Sequence, residues 1–506
     1  MFDLKKRRWL LISLAAGVGL LLLALGRPII HLIRVTWRDT DQIEKLPPGY
    51  VDDVSRMNKT QVSEIWEVPA DSQAAEQQLR ELLRKAEAAG LRVSIAGARH
   101  SMGGHTIYPG GIAINMLPFN RMELDEGKNI LHVQAGSQWS EIIPYLDKRG
   151  RSIEVMQSDN SFSVGGSLSV NCHGWQYGRP PIAATVESFR LMKADGTIVR
   201  CSRGENKQLF SLALGGYGLF GIMLDVDLRV VPNERLRLEQ YVVPIDGALE
   251  SFERKILEKS GVSMVYARLS IVPDKLFQEV IISMFYPDHS GDIPGLAEPG
   301  SLKLRRAVFR GSAESEYGKK LRWQAEAKIQ PLLAGKVFSR NQLLNESVEW
   351  YQNRSADSTD ILHEYFIPRA GASGFLSELR NIIPKYEGDL LNVTVRDVNT
   401  DNDTFLRYAD QPMIAFVMFF NQSRTAAADS RMKIMTQEMI EAAIKNGGRY
   451  YLPYRLHATV DQLYRAYPQA RAFFDLKRQY DPREVFQNQF YVKYGSNKAG
   501  HEGVAE

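Results

Sequence analysis

Two histidines stand close together in a glycine-rich stretch, Ser94 to Met116, with the sequence SIAGARHSMGGHTIYPGGIAINM. His100 and His105 could each act as a metal ligand or, as a neutral imidazole, as a nucleophile. No cysteine or acidic residue lies at ligand spacing nearby, and two histidines alone supply too few ligands for a metal site. The stretch therefore indicates a strand-loop-strand unit that holds a large phosphorylated cofactor, with one histidine directed at it.

Four glycine clusters follow one another along the first half of the chain, at residues 96–104, 135–141, 164–174 and 215–222. Glycine lets backbone N–H groups approach a pyrophosphate closely and adopts positive φ, so clusters at strand ends suit a dinucleotide. Any single cluster could equally be a tight turn at a sheet corner. The absence of a Walker lysine loop and of a G-x-G-x-x-G helix opening disfavours an ATP or nicotinamide fold.

The elements around these clusters predict an α+β domain that reaches about Pro232. Residues Ser72 to Ala89 form an amphipathic pattern with a cap at Asp71 or Ser72 and a stop at Gly90, which predicts a helix. Short apolar runs such as LRVSIAG, GIAINM, ILHVQAG and GTIVRC read as strands.

Beyond Pro232 the pattern changes to two β-α-β-β runs, which predict one mixed sheet covered by helices on one face. The helix in ADSRMKIMTQEMIEAAIKNGG closes this second domain at a Gly-Gly stop. Residues 296–350 are basic and helical, with Trp323 and Trp350, and fit either a solvated face or an insertion that packs on a membrane.

The N-terminus predicts a membrane anchor. Lys5 to Arg8 reads KKRR, and the 18 residues from Trp9 to Gly26 carry no charge. A cleavable signal peptide is the alternative, but LLLALGRP is a poor cleavage site. The basic cluster should remain cytoplasmic. We therefore expect a single-pass inner-membrane protein whose catalytic domain lies outside the cytoplasm.

Composition excludes little else. The 506 residues carry a net charge of +4, which gives no nucleic-acid footprint. Cys172 and Cys201 are the only cysteines, and the sequence leaves open whether they pair.

The glycine clusters, together with ADGTIVRCS and LFSLALGGYGLFGIMLDVDLRV, resemble the FAD-binding PCMH-type domain of the vanillyl-alcohol oxidase superfamily. The C-terminal half, with HEYFIPR, VTVRDVNTDND and the stretch from Tyr450 to Tyr491, is similar to the aldonolactone and alditol oxidases and the decaprenylphosphoryl-ribose oxidases. The resemblance implies an α+β fold in which a two-part FAD-binding domain is followed by a mixed-sheet cap domain. The expected organisation is a cytoplasmic basic segment 1–8, a transmembrane anchor 9–30, a linker 31–59, the FAD-binding domain 60–232, the substrate or cap domain 233–450, a C-terminal segment 451–495 that closes the active site, and a tail 496–506.

The resemblance also implies a cofactor site. In many members of the superfamily the histidine that His100 matches is bonded covalently to the 8-methyl group of the flavin, whereas other members bind FAD without a bond. Arg99 departs from the pattern, because relatives usually carry glycine there. The cofactor residues that the resemblance implies are Gly97, Ala98, Arg99, His100, Ser101, Gly136, Gly165, Gly166, Ser167, His173, Gly174, Gly216, Gly218, Gly221 and Ile222.

The implied activity is transfer of a hydride from a carbinol C–H of a sugar, aldonolactone or polyol, free or lipid-linked, to flavin N5. Reoxidation by O₂ or by a membrane carrier such as a quinone both fit. In the alditol branch a Glu-x-Arg pair contacts substrate hydroxyls, and Thr394 and Arg396 stand at those positions here. Catalytic candidates are therefore Arg396, Tyr454, His457 and His173, with Arg455 beside them; Tyr454 or His457 could accept the hydroxyl proton.

Two rival functions remain open. The motif RHSMGGHTIYPGGIAIN also resembles that of the cytokinin dehydrogenases, which oxidise amines with an aspartate base just before VGG. Asp159 lies near that place, one residue out of register. The other rival is a non-catalytic anchored flavoprotein or sugar-binding module.

Overall fold

The computed structural model describes residues 26–39, 44–258, 261–296, 302–329 and 334–496. The helices are 26–38 (α1), Ser72–Ala89 (α2), Trp139–Asp147 (α3), Val164–Ser169 (α4), Lys207–Ala213 (α5), Ala248–Glu258 (α6), Leu302–Arg310 (α7), Glu316–Ile329 (α8), Arg340–Leu344 (α9), Ala372–Lys385 (α10), Ala426–Lys445 (α11), Val460–Ala466 (α12), Ala470–Tyr480 (α13) and Gln489–Tyr494 (α14). The strands are Tyr50–Val51 (β1), Thr60–Gln61 (β2), Glu64–Glu67 (β3), Val93–Ala96 (β4), Ile112–Asn115 (β5), Met122–Asp125 (β6), Ile130–Gln134 (β7), Arg151–Ile153 (β8), Val186–Met192 (β9), Ile198–Ser202 (β10), Ile222–Pro232 (β11), Arg235–Pro244 (β12), Met264–Leu269 (β13), Glu279–Pro287 (β14), Val337–Ser339 (β15), Ser358–Pro368 (β16), Asp389–Val398 (β17), Met413–Ser423 (β18) and Arg449–Tyr450 (β19).

Helix α2 forms as its sequence predicts. The Asp71 carboxylate accepts a hydrogen bond from Ala74 N at 3.0 Å, which satisfies one of the free N–H groups at the helix start. Gly90 ends the helix with φ of 65°, a conformation that costs glycine little.

The first domain contains two sheets whose strand ends meet. The small parallel sheet has the order β3-β5-β4, and the larger antiparallel sheet has the order β10-β9-β11-β7-β6, with β8 also paired to β11. Because β7 and β11 run antiparallel, the loop that follows β7 and the loop that precedes β11 lie at the same edge. The loop after β4 carries the two histidines.

The second domain is an eight-stranded sheet with the order β15-β12-β14-β13-β17-β18-β16-β19. We expected a mixed sheet, and that was wrong, because every adjacent pair in the described sheet is antiparallel. Each β-α-β unit yields two parallel strands, but a third strand inserts between them: β14 separates β12 from β13, and β18 separates β16 from β17. The sequence pattern predicted the two parallel strands of each unit but not the strand that lies between them.

The C-terminal segment returns to the first domain. Phe486 forms a parallel bridge with Val93 of β4, and Asn488 Nδ2 donates to the carbonyl oxygens of His105 and Tyr217, each at 2.9 Å. These contacts tie the end of the chain to the loop that carries the histidines.

The predicted anchor at 9–30 lies outside the described residues as far as residue 25, and residues 26–30 belong to α1. Among the residues that are described, no helix combines the length and the apolar character needed to cross a bilayer.

Candidate active site

A cavity of about 450 Å³ is lined by residues of both the first domain and the eight-stranded sheet. Its lining includes twelve of the residues that the sequence singled out: Gly97, Ala98, Arg99, His100, Ser101, Gly165, Gly166, His173, Gly218, Gly221, Arg396 and Tyr454. The loop after β4, the start of α4 and the loop before β11 supply the glycines, and the strands of the second sheet supply the polar side chains that face them.

His100 lies in the cavity wall with its ring against Phe162, at a centroid distance of 3.9 Å and an interplanar angle of 7°. Ser161 Oγ is 3.2 Å from His100 Nε2. Burial lowers the pKa of His100 to about 4, so the imidazole is neutral at pH 7. A fixed, neutral imidazole is the form that can act as a nucleophile.

Arg99 adopts a backbone conformation that glycine would occupy more easily. Its φ is 54°, in the left-handed region that a residue with a Cβ rarely occupies. Its Nε and Nη2 atoms are buried without a hydrogen-bond partner, and burial lowers the pKa of the guanidinium. A strained arginine with unpaired donors in a cavity wall suits an anionic ligand.

His105 lies in the same loop between β4 and β5 and also lines the cavity. The ring packs between Tyr217 and Phe490, with centroid distances of 5.4 Å and 5.5 Å. Burial lowers the pKa of His105 to about 3, so this ring is neutral as well.

Several predicted cofactor residues lie outside the cavity lining. A Cβ on Gly136, Gly174 or Gly216 would collide with a backbone carbonyl oxygen, so these three glycines serve close chain packing. Ser167 Oγ accepts from Trp139 Nε1 and donates to Gln157 Oε1, each at 2.9 Å. Ile222 is fully buried in the core.

One cross-strand row of the second sheet faces the cavity. Arg268 of β13 pairs with Thr394 of β17, Thr394 pairs with Val417 of β18, and Val417 pairs with Glu364 of β16. All four line the cavity. Paired residues in neighbouring strands point to the same face, so this row brings a carboxylate onto the line on which Thr394 stands.

Glu364 joins His173 and Tyr454 in a buried cluster. His173 Nε2 forms a short hydrogen bond with Glu364 Oε1, and the Tyr454 hydroxyl donates to Glu364 Oε2 at 3.1 Å. His173 Nδ1 is buried without a partner. Burial, and then the Glu364 charge, raise the pKa of Tyr454 well above its usual range, so the phenol stays protonated and acts as a donor.

Arg396 is held at the cavity wall by two hydrogen bonds. Its Nη1 donates to the His173 carbonyl oxygen at 3.3 Å and its Nη2 donates to Ser158 Oγ at 2.7 Å. The remaining Nε is buried without a partner, so its N–H is oriented by the two Nη bonds and can donate to a ligand.

The structure places His457 and Arg455 outside the cavity lining. His457 Nδ1 is 3.0 Å from Thr436 Oγ1, and its Nε2 is 3.4 Å from Asp429 Oδ1. Arg455 donates to Asn58 Oδ1 at 3.1 Å and to Asp429 Oδ2 at 2.9 Å. Both side chains therefore pair with residues of α11, and Arg455 also pairs with Asn58 in the loop after β1.

The sequence analysis missed Glu364 as a site residue, and it named Asp159 only as the base of the rival amine-oxidising function. Glu364 lies in the strand pattern HEYFIP, where only its charge within an apolar run signals a special position. Asp159 lines the cavity, and burial raises its pKa to about 6 against the opposing effects of Tyr351 and Arg396.

The two cysteines, Cys172 and Cys201, are both free and buried.

The residues fit a flavin cofactor by their unpaired polar atoms. Within the described residues, several buried atoms without a partner belong to the cavity lining: Arg99 Nε and Nη2, Ser101 Oγ, Thr106 Oγ1, His173 Nδ1 and Arg396 Nε. Such atoms are costly unless a ligand pairs with them. Gly218, with φ of 72°, has no atom nearer than 3.7 Å to where a Cβ would stand, so its backbone is open to a ligand.

Two family models match this chain. The FAD binding domain model matches residues 73–202, and the D-arabinono-1,4-lactone oxidase model matches residues 321–494. FAD is therefore confirmed as the cofactor, and the resemblance to the aldonolactone oxidase group is confirmed.

Individual relatives agree with these matches. The chain is 28% identical to L-gulonolactone oxidase of Mus musculus over 221 residues, or 44% of this chain and 48% of the mouse protein. It is 27% identical to D-arabinono-1,4-lactone oxidase of Debaryomyces hansenii over 190 residues, or 35% of this chain and 34% of that protein. Cytokinin dehydrogenase 2 of Arabidopsis thaliana is 30% identical over 133 residues, or 26% of each chain. The chain thus spans about half of the length of the L-gulonolactone oxidases it matches.

Proposed function

We propose that this chain, which carries an FAD binding domain and a D-arabinono-1,4-lactone oxidase domain, oxidises a carbinol C–H of a sugar, aldonolactone or polyol. The observation that carries the proposal is the Glu364–His173–Tyr454 cluster, which faces the glycine loops across one cavity. When bound, FAD supplies the two-electron acceptor for the hydride that leaves the carbinol carbon.

The glycine loops would hold the cofactor. Gly97 and Ala98, Gly165 and Gly166, and Gly218 offer backbone N–H groups at the cavity wall. Arg99 adds a guanidinium with two unpaired donors for an anionic group. His100 is our candidate for the attachment residue, because its imidazole is neutral, stacks on Phe162 and lies within hydrogen-bond distance of Ser161 Oγ at Nε2.

Glu364 is our candidate for the group that takes the hydroxyl proton. Its carboxylate accepts from His173 and Tyr454, so a proton that reaches it is shared within a buried network. Tyr454 stays protonated and is thereby better suited to orient the substrate than to deprotonate it. His457, which pairs with Asp429 outside the cavity lining, is no longer a candidate base in this proposal.

Arg396 would orient the substrate oxygen. Its unpaired Nε can donate to a hydroxyl while its two Nη atoms fix the guanidinium on the His173 carbonyl and Ser158. In relatives with a Glu-x-Arg pair the carboxylate precedes this arginine by two residues, whereas here Thr394 takes that place. Glu364 stands on the same cross-strand row as Thr394, and we propose that it provides the missing carboxylate.

The finer parts of the proposal concern location and reoxidation. The uncharged run from Trp9 to Gly26 after KKRR supports a single-pass inner-membrane anchor with the catalytic domain outside the cytoplasm. An anchored domain favours a membrane carrier such as a quinone as electron acceptor, with O₂ as the alternative, and also suits a lipid-linked sugar.

Turnover assays with a panel of aldonolactones, polyols and cytokinin-type amines test this function. We expect turnover with lactones or polyols, using O₂, a quinone or an artificial acceptor, and none with amines. The second candidate is amine oxidation, because the buried carboxyl of Asp159 lies in the same cavity and the cytokinin dehydrogenase relative matches part of the chain. Turnover of amines alone would establish that alternative in place of ours. A purified protein that retains no FAD and turns over no member of the panel would instead support a binding module.

A further inference from the structure

Helix α1 presents three distinct faces to its surroundings. At 100° per residue, Ile29, Ile30, Ile33 and Trp37 fall within an arc of about 100°. All four side chains are exposed, and Trp37 is 84% exposed. Nothing among the described residues covers this apolar face, although exposing isoleucine and tryptophan side chains to water is unfavourable in free energy.

The opposite face of α1 packs on the hairpin of α7 and α8. His31 Nε2 is 2.9 Å from the Gly311 carbonyl oxygen, and its ring lies edge-on to Tyr317 at 5.4 Å. Arg306 of α7 forms a bidentate ion pair with Asp39, with Nη2 and Oδ1 2.6 Å apart. These contacts fix the rotation of α1, so the apolar face is turned away from the protein body.

Charge identifies the occupant of the apolar face. Arg34 and Arg38 are exposed and lie on one side of the apolar arc, about 40° and 80° beyond its edge on the helix. A helix with an apolar stripe, flanking arginines and an exposed tryptophan has the composition of an interfacial helix, whose apolar side enters the headgroup boundary of an anionic bilayer. The chain reaches α1 directly from the uncharged run Trp9–Gly26, so a bilayer that holds this run would lie next to the helix.

We propose that the apolar face of α1 rests on an anionic phospholipid surface. Helix α7, on which α1 packs, contributes Arg305 and Phe309 to the cavity lining. The contact therefore sets the α7 side of the cavity beside the bilayer, where a lipid-soluble reactant is concentrated. The inference extends the proposed anchor and rests on it, but it does not depend on which substrate is oxidised.

Site-directed fluorescence of the full chain tests the contact. Cys172 and Cys201 are buried and burial raises the pKa of each to about 12, so a single introduced cysteine can be labelled selectively. The labelled variants are Ile33→Cys and Trp37→Cys, with Lys128→Cys, whose side chain is 78% exposed on the turn between β6 and β7, as the matched control. Each is reconstituted in phosphatidylglycerol vesicles that contain doxyl-labelled lipid, and its fold is checked by circular dichroism.

We expect the labels at 33 and 37 to be quenched by doxyl lipid and to lose most of the iodide quenching that the control retains. The double change Arg34→Glu and Arg38→Glu should reduce the lipid quenching in phosphatidylglycerol but not in phosphatidylcholine. Labels that co-float with vesicles yet remain as open to iodide as the control would overturn the contact while leaving the anchor intact. Protection from iodide without lipid quenching would overturn it in favour of a protein partner, and failure to co-float would refute both the contact and the anchor.

Discussion

Replacing Glu364 by glutamine should separate the chemistry of the site from its fold. The variant keeps the shape of the side chain and can still accept from His173, but it can no longer take up a proton. General base catalysis contributes roughly 10²- to 10⁴-fold to a rate. We therefore expect flavin reduction in E364Q to be slower by about that factor, with little change in the substrate concentration at half saturation.

The loss of unfolding free energy in E364Q should be small. The amide oxygen can accept from His173, and the Tyr454 hydroxyl can turn to accept from the amide nitrogen. Each charge-assisted bond is then replaced by a neutral one, a difference of about 1 kcal/mol for each partner. The assay is anaerobic stopped-flow reduction of the flavin over a range of substrate concentrations, with urea unfolding measured in parallel.

Asp360→Asn provides the matched control for this experiment. Asp360 lies on the same strand, is buried and pairs with Arg310, but it is not part of the cavity lining. We expect this variant to lose stability and to keep the rate of flavin reduction. A Glu364→Gln enzyme that reduces its flavin at the wild-type rate, or one slowed no more than the control, would refute the role of Glu364.

Three further predictions follow from single residues. Arg99→Gly relieves a left-handed φ, so the apoprotein should gain about 1 kcal/mol of unfolding free energy. The same change, made in the His100→Ala background, should weaken FAD binding because a guanidinium is lost. Tighter FAD binding would contradict the role of the guanidinium. Asp159 has a folded pKa of about 6, raised by burial above that of the unfolded chain, so its contribution to stability falls as pH rises. The unfolding free energy of the wild type should therefore drop relative to Asp159→Asn between about pH 4 and pH 7, and parallel pH curves would argue against a buried carboxyl. His100→Ala should abolish the flavin fluorescence that the wild type retains on a denaturing gel. A fluorescent band that persists in the variant would refute the covalent bond between His100 and the flavin.

Local signals in the sequence predicted local structure well. The capping aspartate and the stop glycine fixed both ends of α2, since both act within one turn of the helix. Arg99 was marked by its departure from glycine, and its positive φ gives that departure a physical meaning. The loop that carries His100 was recognised because its glycine spacing is contained within a single stretch.

What the sequence could not predict depends on contacts between distant residues. Glu364 becomes a site residue through the register of β16, β18 and β17 and through His173, which is 191 positions away. His457 was expected near the flavin because it stands close to Tyr454, but Asp429 on α11 provides its partner. The charge of Glu364 within an apolar run marks its position, but the partner of neither residue can be read from the surrounding sequence.

The central claim is that a carbinol C–H gives up its hydride in this cavity. The most direct test is anaerobic reduction of the bound flavin by an aldonolactone or polyol that carries deuterium at the reacting carbon. We predict loss of the oxidised-flavin absorption band on mixing, at a rate that is lower with the deuterated substrate than with the unlabelled one. Bleaching by amines alone, or no bleaching by any lactone or polyol, would contradict the account.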